Sequence, residues 1–208
     1  MKIFDIELSN LKYRDFFSEI VKFDKKNIVF TPNPEILLSL KKDKEFLDII
    51  QKSNYLLPDW TGLYIAYQIL DNNYSKFVNI LLLPYYFYKL FFNKKELYQK
   101  YGEKICWSDL TSDLINYANK NSLWVTILDL YNPTDLKKVE SQKMLIPRLQ
   151  EKFPNAKFHL YIYRPEEFDN IIEEIKKTWD KIVLATLWAK KQEKLILDVF
   201  NSTDSVSI

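Results

Sequence analysis

Short apolar runs rich in β-branched residues recur along the chain at 27–31, 55–58, 124–128, 158–163 and 181–187, and they read as strands. Between them, the stretches 34–53, 108–121, 133–152, 165–178 and 190–200 place apolar residues three or four apart, the spacing of helices with one buried stripe. Repeated alternation of this kind predicts an α/β fold: a Rossmann-like, mostly parallel sheet with helices on both faces, joined by right-handed crossovers. Ligands then sit at the carboxyl ends of the strands, so residues just after a strand are the candidates for chemistry. With 208 residues the chain accommodates this as a single domain spanning 1–208.

One segment departs from the pattern. Residues 77–92, FVNILLLPYYFYKLFF, are too apolar for an ordinary surface helix, yet Asn79, Pro84 and Lys89 interrupt them. Their 16 residues fall short of the roughly 20 that span a bilayer. Within an insertion covering 77–103, a core helix, a dimer interface, a hairpin packed on the main domain and a membrane-surface contact all remain open.

Charge and composition narrow the function classes. Thirty Lys and Arg against 28 Asp and Glu leave a formal charge of +2, too small to make nucleic acid the expected partner. The single cysteine, Cys106, excludes an internal disulfide, and the single histidine, His159, excludes the common histidine-based zinc sites. No apolar core of a secretory leader stands at the N-terminus, so a cytoplasmic protein is expected. Glycine is scarce: only Gly62 and Gly102 occur, where average usage would supply roughly fifteen.

Three clusters follow the predicted strands, and a fourth opens the helix after Ile105 and Cys106. Thr31 and Asn33 lie where helix N–H groups favour an anion or a sugar hydroxyl, although Asn33 before Pro34 also reads as a helix cap. Asp59 could take a proton from an attacking hydroxyl or cap the helix starting near Gly62. Ser108 and Asp109 could cap another helix or bind a hydroxyl. Gln192 and Glu193 could offer an amide and a carboxylate to a base or ribose, or simply favour a helix N-terminus.

Taken in order, these segments resemble the WecG/TagA/CpsF glycosyltransferases along almost the whole chain. The family's T-x-N-x-E segment is matched by Thr31, Asn33 and Glu35, and its P-D-G-x-G turn by Pro58, Asp59, Trp60, Thr61 and Gly62. Its G-x-D-L segment corresponds to Trp107, Ser108, Asp109 and Leu110, and G-x-P-K-Q-E to Trp188, Ala189, Lys190, Lys191, Gln192 and Glu193. The resemblance implies inverting transfer of an N-acetylhexosamine-type sugar, N-acetylmannosamine or its uronate, from a UDP-sugar donor. The acceptor it implies is linked to undecaprenyl diphosphate, and neither a metal nor another cofactor is required. Asp59 matches the general base, Thr31 and Asn33 match residues near the donor sugar and diphosphate, and Gln192 and Glu193 match the nucleotide end. Asp109 is carried over as substrate-binding. Homo-oligomers are common in the family, and the inner face of the plasma membrane is the implied place of work.

The departures have a common form. Trp60, Trp107 and Trp188 stand at family glycines, and Trp124 and Trp179 stand where glycine is common. Indoles in tight strand-to-helix turns are expected to obstruct the donor pocket. Repeated conversion of one residue type to another points to glycine codons written as UGA. The terminal SVSI resembles the start of a strand that in the family continues into an arginine-bearing appendage, which is expected to be missing here. A non-catalytic nucleotide-binding relative and a membrane-surface adaptor are the alternative readings.

Overall fold

The computed structural model describes residues 2–3, 6–130, 135–178, 180–203 and 206–207. It is an α/β fold with parallel strands between flanking helices. The chain opens with the antiparallel strands β1 (Lys2–Ile3) and β2 (Ile6–Glu7) and helix α1 (Tyr13–Ile20). The next two predicted strands shorten to β3 (Val29–Phe30) and β4 (Tyr55–Leu56), which pair in parallel with Val29 opposite Tyr55. The larger sheet is parallel throughout, in the order β6 (Lys157–Tyr163), β5 (Trp124–Leu130), β7 (Ile182–Thr186) and β8 (Val206–Ser207).

Period-two alternation along these strands sorts their side chains into two hydrophobic clusters. Phe30, Leu56, Leu128, Val183 and Ala185 enter one, together with residues of α2 (Pro34–Leu40), α3 (Lys44–Gln51), α4 (Gly62–Asn72), α10 (Phe168–Thr178) and α11 (Lys191–Ser202). Val29, Leu57, Val125, Ile127, Ile182 and Leu184 enter the other, with α1 and α8 (Trp107–Asn121). Partly buried residues of α9 (Leu136–Lys152) pack on that second cluster. Both short and long sheets contribute to both clusters, so helices cover each face.

The expected helix over 34–53 is two helices. Leu40 ends α2, and Asp43 starts α3 by accepting the Phe46 N–H at 3.0 Å. An Asp cap outcompetes continuation through the polar Lys41 and Lys42, which offer no apolar stripe to bury. The apolar segment is likewise broken, into α5 (Lys76–Leu81) and α6 (Leu83–Phe92), followed by α7 (Lys94–Tyr101). Its polar interruption is structural: the buried Tyr86 hydroxyl donates to Asn79 Oδ1 at 2.8 Å and accepts from Asn72 at 3.2 Å. Helix α6 thereby packs as a hairpin against α4 and α7. Gly102 follows α7 with φ of 91°, and a Cβ there would come within 3.0 Å of the Asn10 and Leu11 backbone, so only glycine suits both the turn and the approach.

Candidate active site

Two strand ends face each other across a cavity of about 370 Å³. One wall follows β3 and β4. Thr31 is half-buried just past β3, and Asn33 caps α2 through Oδ1, which accepts the Ile36 N–H at 2.9 Å. Capping and lining coincide at Asn33, because the cap is itself part of the cavity wall. Asp59 lies in the loop between β4 and α4, held by the Leu57 N–H donating to Phe30 O at 2.8 Å and the Ile105 N–H donating to Pro58 O at 3.0 Å. It does not cap α4; the residue preceding that helix is Thr61, whose side chain makes no capping bond. Asp59 is therefore half-buried, on the cavity and free of that structural duty.

The facing wall follows β7. Thr186, at the strand end, donates to Leu128 O at 3.3 Å and lines the cavity with Gln192 and Glu193 from the first turn of α11. Gln192 Nε2 donates to Glu193 Oε1 at 2.9 Å. Glu193 is buried, and its Oε2 has no hydrogen-bond partner. Burial pushes this carboxyl above its ordinary pKa, against the smaller opposing effects of Gln192 and backbone N–H groups. A buried polar atom left without a partner is costly, and here it belongs to a cavity wall where a ligand can supply the missing bond.

Sequence reasoning missed Lys104, a neighbour of Asp59, but had placed Trp107 at the donor pocket. Lys104 lies close enough that Asp59 helps hold its ammonium above the ordinary value, the larger cause being a hydrogen bond with the Cys106 side chain. Trp107 lines the cavity at the start of α8. The rule that ligands sit at strand ends could also have found Thr186, the last residue of β7.

The tryptophans do not act alike. Among Trp60, Trp107 and Trp188 only Trp107 lines the cavity. Trp188 is 74% exposed, while the indole of Trp60 folds over Gly62, where an added Cβ would meet it at 2.2 Å. None of the three has positive φ, so the expected obstruction is confined to one indole. Trp124 stacks on His159 with ring centroids 4.1 Å apart at the start of β5, away from the strand ends that form the site. Trp179 lies outside the described residues. Asp109 is exposed on the first turn of α8 and is not part of the cavity wall. Its charge instead acts on Tyr13, whose phenol burial chiefly, and the hydrogen bond to Asp113 next, push far above its ordinary value.

The sequence profile of the glycosyl transferase WecG/TagA/CpsF family matches residues 1–95. Over that stretch, somewhat less than half of the chain, the protein is similar to the family. A search among curated proteins returns no match. The matched stretch contains Thr31, Asn33 and Asp59, whereas the wall built by Thr186, Gln192 and Glu193 lies beyond it. That family is described as one of glycosyl transferases. Among the described residues no group of three or more His, Cys, Asp or Glu side chains is placed to hold a metal ion. No helix among them is long and apolar enough to cross a membrane.

Proposed function

We propose that the chain transfers an N-acetylhexosamine-type sugar, N-acetylmannosamine or its uronate, from a UDP donor to an undecaprenyl-diphosphate-linked acceptor at the inner face of the plasma membrane. The observation that carries this reading is the meeting of Thr31, Asn33 and Asp59 with Gln192 and Glu193 around one cavity. Asp59 accepts the proton of the acceptor hydroxyl as its oxygen bonds to the anomeric carbon. The bond from that carbon to the UDP oxygen breaks on the opposite face, and its electron pair leaves with UDP, giving inversion. Lys104 and the positive end of the α11 helix dipole offset the charge developing on the diphosphate without a metal. Glu193, whose carboxyl burial pushes above its ordinary pKa, presents its unpartnered Oε2 to the nucleotide end of the donor.

Titration calorimetry with UDP, paired with a transfer assay on a lipid-linked acceptor, tests this. Asp59→Asn is expected to keep UDP affinity and lower turnover by about a hundredfold or more; unchanged turnover removes Asp59 from the base role. The placement of Trp107 on the cavity wall favours one second reading, a relative that binds nucleotide without turnover. UDP binding with no transfer by the wild-type chain would select it.

A further inference from the structure

Outside the cavity, the largest unexplained feature is the outer face of α5 and α6. Phe77 is 70% exposed, Phe91 66% and Phe92 74%, and Ile80, Leu81 and Tyr88 are exposed beside them. Exposed apolar side chains gathered on two consecutive helices, with the Tyr88 and Phe92 rings 4.9 Å apart, mark an interaction site. Its charge is one-sided: residues 72–95 contain Lys76, Lys89, Lys94 and Lys95 and no Asp or Glu. Lys89 is paired with Glu96 of α7 at 3.1 Å, while Lys76, Lys94 and Lys95 are exposed. A hollow of about 330 Å³ opens among Ile69, Lys76, Asn79, Ile80 and Leu83, apolar except for Asn79 and the lysine.

We infer that this face docks on an anionic lipid bilayer, lying in the interface with its aromatic rings at headgroup depth and its lysines against lipid phosphates. Charge decides between a bilayer and a second copy of the chain. A two-fold self-contact sets the same patch against itself, which would crowd lysines from both copies with no carboxylate from 72–95 to pair them. An anionic membrane instead offers a negative surface to every lysine and a hydrocarbon boundary to Phe77, Phe91 and Phe92. The hollow beside Lys76 suits an acyl chain whose headgroup meets the ammonium. Helices α5 and α6, of 6 and 10 residues, are too short to span and suited to lie flat. The docking face and the cavity are joined by α4, which starts three residues after Asp59 and whose 11 residues extend about 16 Å.

The inference rests on the membrane placement in the proposed function but not on its chemistry, and vesicle sedimentation reads lipid binding apart from turnover. The full chain is expected to sediment with phosphatidylcholine vesicles containing phosphatidylglycerol and far less with phosphatidylcholine alone. Lys94→Glu/Lys95→Glu should weaken that binding by more than about tenfold. Phe77→Ser/Phe91→Ser/Phe92→Ser should abolish the portion that survives high salt, with circular dichroism showing an unchanged fold. The inference is overturned if the wild-type chain stays in solution with anionic vesicles, or if both variants bind as it does. It is equally overturned if the phenylalanine variant turns a dimer into a monomer while lipid binding is unaffected.

Discussion

Lys190 Nζ lies 2.6 Å from Asp43 Oδ2, tying the turn before α11 to the N-terminus of α3. Glu45 adds a second carboxylate at 3.0 Å. The two shifts agree: the bond to Lys190 holds Asp43 below its ordinary value, and the bond to Asp43 holds Lys190 above its own. Lys190 makes this reach from a backbone with φ of 68°, a region costly for any residue but glycine.

That backbone yields a direct prediction. The family pattern has proline at this position, and proline holds φ near −65°, incompatible with the turn seen here. Lys190→Pro should therefore be less stable than Lys190→Gly by more than about 1 kcal/mol, read by urea unfolding of the two variants. Equal stabilities would mean that the turn readily adopts the other backbone.

Trp107 is the indole whose removal should matter to ligands. Trp107→Gly is expected to tighten UDP binding by about tenfold, equivalent to about 1.4 kcal/mol, whereas Trp60→Gly and Trp188→Gly should shift it less than about twofold. Calorimetry on the three variants decides it; a uniform response would return the effect to turn geometry.

Glu193 supplies a pH prediction. Its pKa is raised on folding by burial, so the folded chain binds this proton more tightly than the unfolded chain does. Its contribution to stability is complete below the ordinary glutamate value and is lost as pH rises through the raised one. Glu193→Gln, which cannot ionise, should melt progressively higher relative to wild type as pH increases from about 4 to about 8. A constant difference between the two melting curves would show that Glu193 does not titrate differently in the two states.

At the amino end of the sheet, the buried Asp180 accepts from the Thr126 hydroxyl and sits 3.0 Å from His159 Nδ1. Asp180→Ala strands both partners and should cost about 2 to 3 kcal/mol in denaturant midpoint without changing UDP affinity. A loss of affinity in a fully folded variant would mean that the amino end of the sheet communicates with the cavity.

The long strands were legible because β-branched runs have few other uses, and the residues after them were legible as site candidates through the geometry of parallel sheets. What escaped depended on helix rotation. Leu110, Leu114 and Ala118 set the buried stripe of α8, and Trp107 continues it one turn earlier, whereas Asp109 is turned about 100° from Leu110. Applying the stripe at the helix start would have kept Trp107 at the cavity and removed Asp109 from it. The break at Asp43 was written in a cap that the apolar spacing over 34–53 overrode. The orphan oxygen of Glu193 had no sequence signal, since it arises from burial that only tertiary packing creates.

The contact between Lys190 and Asp43 closes a loop of 147 residues in sequence, and the cavity walls come from similarly remote parts of the chain. Such closures are entropically expensive and belong to the slow, non-local part of folding. Binding of the proposed nucleotide is therefore expected to report completed assembly: a chain with its sheets formed but undocked would present either wall alone.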